Sequence, residues 1–184
     1  MRKVILNLAV TLDSIIEGPN GEYDWCLNDQ DYGLTDFWES TDAIFIGRKS
    51  YELIAANGDI NMFLAHKMYV FSDTLAEVAH EQIEIVPSTS FAEDVRAIKE
   101  QEGKAIWLFG GASLISNFLQ NRLIDELLLS VHPILLGEGK PLFQGIKSRI
   151  GLQLLDSTPY PSGLVQLHYA ISPEFDLNNV AGAD

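Results

Sequence analysis

Two short segments carry the residue types that hold phosphate. Ile46-Gly47-Arg48-Lys49-Ser50-Tyr51 falls where an apolar run passes into helical spacing. A helix N-terminus presents unpaired amides and a partial positive charge, and two adjacent cations with a hydroxyl make that a site for an anion. The plain alternative is that Arg48 and Lys49 are solvated and Ser50 only caps the helix. Trp107-Leu108-Phe109-Gly110-Gly111-Ala112-Ser113-Leu114 repeats the pattern. Its paired glycines let a ligand approach the backbone, and the following amides can hold a pyrophosphate. The alternative is a tight turn with close helix packing, since neither G-x-G-x-x-G nor G-x-x-x-x-G-K-[ST] spacing is present. Two such turns at the carboxyl ends of different strands favour a ligand, because open α/β sheets bind at that edge.

The elements that must position these turns follow from hydrophobic period. Val4 to Leu12 reads as a strand covered on both faces, and Glu17 to Asp24 as a loop rich in turn formers. Asp29 to Ser40 reads as a short helix, Ala43 to Gly47 as a second buried strand and Ser50 to Ala56 as another helix. Met68 to Phe71 and Ile83 to Val86 are strands, and Ser90 with Glu93 three residues on is a capping box opening a further helix. Ala105 to Phe109 runs into Gly110-Gly111 and a helix carrying Leu114, Ile115, Phe118 and Leu119. Leu127 to Leu136, Leu152 to Leu155 and Val165 to Ile171 follow with no helix between them. The expectation is one α/β domain over residues 1–172, a mainly parallel sheet with an antiparallel C-terminal edge, and a polar tail over 173–184.

Composition bounds the partners. Of 184 residues, 12 are Lys or Arg and 26 are Asp or Glu, a formal charge of −14. Such a chain repels polyphosphate at long range, so nucleic acid and anionic membrane are not expected partners. No run approaches the roughly 18 apolar residues of a membrane helix. Asn7 interrupts the N-terminal apolar stretch and Asp13 ends it, so this is a strand and not a signal peptide. Cys26 is the single cysteine, no Cys/His cluster has metal-ligand spacing, and a reducing cytoplasm is the expected setting.

The run Asn7 to Trp25, Gly47-Arg48-Lys49-Ser50-Tyr51-Glu52, Val70-Phe71-Ser72, Phe109 to Leu114, and Asp125-Glu126-Leu127 through His132-Pro133 to Leu142-Phe143 occur in a recognisable order. The chain resembles the dihydrofolate-reductase-like family, most closely the stand-alone relatives of the C-terminal reductase domain of riboflavin-biosynthesis proteins. The resemblance implies NADPH lying across the carboxyl edge of the sheet and hydride transfer to a C=N or C=O of a pterin- or pyrimidine-bearing substrate. The reaction of a 5-amino-6-(5-phosphoribosylamino)uracil reductase is the type. It implies that Gly47, Arg48, Lys49 and Ser50 hold the cofactor's phosphates and that Phe71 and Ser72 flank the adenosine. Gly110, Gly111, Ala112, Ser113 and Leu114 would hold the pyrophosphate, with Ala9, Val10, Ile16 and Gly18 along the nicotinamide. The local cations fit a 2′-phosphate in a chain otherwise poor in them.

Reducing a C=N bond also needs a proton source. In the folate-reducing branch a helix-borne carboxylate precedes the Gly-Arg turn, and Asp31 lies at similar spacing before Arg48. By that resemblance Asp31 is the candidate acid and Ser130 its hydrogen-bond partner; the alternatives are that water is the source and that Asp31 solvates a surface loop. Trp25 either walls the substrate pocket or packs its loop. His132 reads as a satisfied structural histidine, and Tyr23, Phe37 and Trp38 as packing or as an aromatic wall. Where family members often have Ser-Leu-Asp-Gly, this chain has Thr11-Leu12-Asp13-Ser14. No later Lys or Arg is an evident partner for a substrate phosphate. Leu127 to Leu129 and Val165 to Leu167 are expected near a sheet edge, and with it a homodimer. A different class of function fits the same turns, namely a catalytically silent NADP-binding module with a regulatory or assembly role.

Overall fold

Alternation in the first strand, β1 (Val4–Thr11), sends Val4, Leu6 and Val10 into one core and Ile5 into a second on the opposite face. That two-sided burial places β1 inside a sheet with helices on both faces. The computed structural model describes residues 1–172. After β1 come β2 (Ile15–Glu17), α1 (Leu34–Ser40), β3 (Thr41–Gly47), α2 (Arg48–Asn57), α3 (Ile60–Phe63), β4 (Lys67–Phe71) and β5 (Ile83–Val86). The chain continues through α4 (Phe91–Glu100), β6 (Ala105–Gly110), α5 (Ala112–Gln120), β7 (Glu126–His132), β8 (Lys140–Pro141), β9 (Gly151–Pro159) and β10 (Val165–Ser172). The main sheet has the order β5-β4-β3-β6-β1-β7-β10-β9. Neighbours from β5 to β7 are parallel, and β10 and β9 close it with antiparallel pairings. The expected mainly parallel sheet with an antiparallel C-terminal edge is what forms.

One core packs β1, β3, β6 and β7 against α4 and α5 through Val95, Ile98, Ile115 and Phe118; the other packs Ile44, Ile46, Met68, Val70 and Trp107 under Phe37, Tyr51 and Ile54 of α1 and α2. The buried carboxylate of Glu126 is held by Lys3 Nζ at 2.5 Å and His168 Nε2 at 2.8 Å. Burial pushes its pKa up, but the bonds from Lys3 and His168 outweigh that and leave it below the ordinary value.

Several expected elements are corrected. The helix expected from Asp29 begins only at Leu34, because Tyr32 and Gly33 lie in the left-handed region with φ of 51° and 75°. Ser90 forms no capping box with Glu93; it closes a 3₁₀ turn, and its hydroxyl donates to Asp94 at 2.6 Å. The strand from Leu127 ends at His132, before Pro133. Neither Leu127–Leu129 nor Val165–Leu167 lies at an edge, since β7 and β10 are both interior and β9 is the edge strand. The loop reading of Glu17 missed β2, which pairs with β8 in a two-stranded sheet tied by the Glu17–Lys140 ion pair. Ser14 stands at φ 64°, the conformation a glycine adopts without strain. The tail at 173–184 lies outside the described residues.

Candidate functional site

Two cavities on the sheet collect the candidate site residues. The larger, about 470 Å³, lies at the carboxyl ends of β3, β4 and β6. Gly47 is the N-cap of α2 and Gly111 that of α5, so both helices start at its wall. Neither helix has an acidic residue in its first turn or a side-chain cap, whereas α4 has Glu93 and Asp94 there. The free amides and positive dipole ends of α2 and α5 are therefore left for an anion. A Cβ at Gly111 would stand 3.3 Å from Ser50 Oγ, so the glycine keeps the two turns close, and the Gly110–Gly111 peptide is cis. Arg48 donates to Glu52 at 2.8 Å one helical turn on. Lys49 and Lys140 complete the cationic wall. Among the described residues Asp73 is its one carboxylate; both oxygens accept from Ser88, which holds its pKa below the ordinary value.

The smaller cavity, about 300 Å³, lies on the α1 side of β1, β7 and β10. Ala9 pairs in register with Ser130, and Ser130 with Gln166, so one row across three strands forms its floor. Asn7 and His132 flank that row, and the chain from Cys26 to Leu34 makes the opposite wall. Burial pushes the Cys26 thiol up to about 11, so it stays protonated at neutral pH. Asp31 is exposed; its carboxylate accepts from the Thr35 hydroxyl at 2.8 Å and the Thr35 amide at 3.1 Å. The bond expected from Ser130 is replaced by this local one, because Asp31 sits just before α1 and bonds a residue in its first turn.

The larger cavity gathers Gly47, Arg48, Lys49, Ser50, Phe71, Ser72, Gly111, Ala112, Ser113 and Leu114, and Gly110 precedes it in β6. The smaller gathers Ala9, Asp31 and Ser130. Val10, Ile16 and Gly18 line neither: Val10 and Ile16 face the α4–α5 core, and the Gly18 amide donates to the Glu22 carbonyl. Trp25 lines neither cavity and packs edge-on against His132 with ring centroids 5.2 Å apart. Phe37 and Trp38 belong to the core beside Trp107, and Tyr23 is exposed. Sequence reasoning missed Lys140, Asp73 and Ser88 in the larger cavity and Asn7, Tyr32, His132 and Gln166 in the smaller. The signal for Asn7 was present, an amide interrupting an otherwise apolar strand. Among the described residues no group of three His, Cys, Asp or Glu is placed to hold a metal ion, and no helix is long and apolar enough to cross a membrane.

A six-strand parallel run, an antiparallel pair at one edge and a glycine-bounded cleft across the carboxyl ends define a dihydrofolate-reductase-like α/β protein. Within that class, residues 2–166 match the RibD C-terminal domain, and the chain belongs to that family of reductases. It is 46% identical over 179 residues to the uncharacterized protein YyaP of Bacillus subtilis, covering 91% of this chain and 94% of that one. A putative riboflavin biosynthesis protein from Shewanella sp. PV-4 superposes with a TM-score of 0.77 at 26% identity, over 92% of this chain and 99% of that one. A dihydrofolate reductase from Enterococcus faecalis, complexed with NADP(H), shares the fold at a TM-score of 0.66 and 15% identity, over 92% and 96% of the two chains.

Proposed function

We propose that this chain is an NADPH-dependent reductase of a small heterocycle of the pyrimidine or ribosylaminopyrimidine type. The observation that carries the reading is the convergence of Arg48-Lys49-Ser50 and Gly111 to Leu114, distant in sequence, on one cavity that also receives Lys140. The residues present fit the cofactor. Two helix starts free of acidic residues and three cations suit its three phosphate groups, and Phe71 with Ser72 gives the adenosine a flat wall. When bound, NADPH supplies the hydride. Arg48 and Lys49 bind the 2′-phosphate, Arg48 exchanging Glu52 for it, and the start of α5 binds the pyrophosphate.

The smaller cavity takes the heterocycle over the row Ala9, Ser130 and Gln166, with Asn7 presenting its amide from β1. Asp31, the one carboxylate of that wall among the described residues, supplies or relays the proton that the reduced nitrogen or oxygen requires. The same reading includes a homodimer in a reducing cytoplasm, formed through β9, whose Leu154 and Leu155 are 52% and 46% exposed. The test is the rise in melting temperature with NADPH against NADH, followed by NADPH oxidation over a panel of pyrimidine, pterin and folate compounds. A larger rise with NADPH and turnover of one ring class is the expected result. No rise with either cofactor overturns the reading, and a rise without turnover of any compound leaves a silent NADP-binding module in its place.

A further inference from the structure

His132 is 2% exposed, and only half of its hydrogen-bonding capacity is used. Its Nδ1 lies 2.9 Å from the Ser130 carbonyl oxygen, which can only accept, so the proton of the neutral ring is on Nδ1. Nε2 is then a bare lone pair, buried and without a partner, on a ring that lines the smaller cavity. The ring set edge-on against it carries the complementary defect, for Trp25 Nε1–H is buried and unpartnered as well. An acceptor and a donor on adjacent rings, both unpaired, are a cost that folding rarely leaves without a use. Trp25 stands between β2 and α1 on a connection with no helix or strand of its own.

The charges of the same cavity point to what that ligand lacks. Among the described residues, Asp31 is the only carboxylate on the wall, and no Lys or Arg lines it. The two cations that precede β1 are paired elsewhere, Arg2 with Asp42 and Lys3 with Glu126. Residues 4–47 and 173–184 contain no Lys or Arg at all. A phosphate placed here would meet a carboxylate and no counter-charge.

We infer that the heterocycle accepted by the smaller cavity bears no phosphate and presents a ring N–H that donates to His132 Nε2. This rests on the reductase reading above and narrows its substrate. The experiment is calorimetric titration of the full chain, with and without NADP⁺, using 5-amino-6-ribosylaminouracil, its 5′-phosphate and its N3-methyl derivative, and pterin with N3-methylpterin as a second ring system. At least one unmodified heterocycle should bind, with phosphorylation and N-methylation each weakening binding tenfold or more. His132→Phe should abolish the discrimination against the N-methyl compound, His132→Gln should retain part of it, and both should keep the melting rise given by NADPH.

Equal or tighter binding of the 5′-phosphate overturns the inference, as does binding of neither ring system, or discrimination that survives in both His132 variants. These outcomes are separable from failure of the cofactor reading. Heterocycle binding with the expected preferences in a protein that NADPH does not stabilise counts against the reductase reading alone, whereas NADPH stabilisation with inverted preferences counts against this inference alone.

Discussion

The two cavities are built by different means. The larger is a backbone site, made from two helix starts, glycines at both N-caps and strand ends whose direction the parallel sheet fixes. The smaller is a side-chain site, with one wall spread over three strands and the other over the irregular segment before α1. One collects cations and excludes acids from its helix starts; the other has a single carboxylate, amides, hydroxyls and a histidine with a free nitrogen. On the function proposed above, phosphate binding is separated from heterocycle binding within one sheet. A backbone site tolerates side-chain change except where a Cβ intrudes, while a side-chain site changes its ligand with each substitution.

The sharpest way to break this contrast is Gly111→Val. A branched side chain would press on Ser50 Oγ, which even a Cβ would approach to 3.3 Å, and would fill the cradle at the start of α5. The protein should fold and lose about a hundredfold or more in NADPH affinity by calorimetry, because the pyrophosphate loses its helix start. Retained affinity in a folded variant makes the turn structural only. Asp31→Asn asks the matching question of the smaller cavity. Hydride transfer should fall roughly a hundredfold with NADPH binding unchanged, and the residual rate should rise as pH falls and solvent takes over protonation. Asp29→Asn is the control, its carboxylate accepting from the Tyr32 hydroxyl at 2.5 Å, and it should be silent.

Arg48→Ala is smaller and more selective. A charge-assisted bond of about 1.5 to 3 kcal/mol corresponds to roughly ten- to a hundredfold in affinity. NADPH should weaken by about the lower figure, because Arg48 must first leave Glu52, and NADH should hardly change. Equal losses for both cofactors would remove the 2′-phosphate from this wall. The smallest effect is on stability and concerns the helix that walls the smaller cavity. His66 is buried against Trp38 and bonded to Thr41 and the Trp38 carbonyl, and burial lowers its pKa from 6.5. The unfolded chain therefore takes up this proton at higher pH than the folded one. Stability should fall as pH drops below about 6.5, ahead of the carboxylates, and His66→Asn should flatten that part of a melting curve against pH.

Much of the larger site was legible because its determinants are local. Gly47-Arg48-Lys49-Ser50 and Gly110-Gly111 each sit within one strand-to-helix turn, and the parallel sheet brings such turns to a common edge. Lys140 was not legible there, since its place depends on β8 pairing with β2 across more than a hundred residues. The smaller cavity was harder to read for the same reason. Gln166 reaches it only through the register of β10 on β7, and Tyr32 and Gly33 cut the expected helix by adopting left-handed backbone that residue periodicity does not encode. His132 was read as satisfied because sequence gives no account of where its second nitrogen points. The edge strand was misplaced because three successive apolar runs without helices do not say which of them lies outermost.

The strand order also governs how the chain assembles in time. β1 leaves the ribosome before the other strands of this sheet, yet its partners are β6 and β7, with Val4 beside Ile106 and Ile5 beside Glu126. About a hundred further residues must be synthesised before that strand has a partner in the main sheet. Meanwhile β3, β4 and β5 can already associate in sequence order. Closing so long a loop is slow, and an apolar ribbon left waiting is exposed to misassembly. The central position of β1, which supplies Asn7 and Ala9 to the smaller cavity, leaves that floor without its second and third strands until β7 and β10 have emerged.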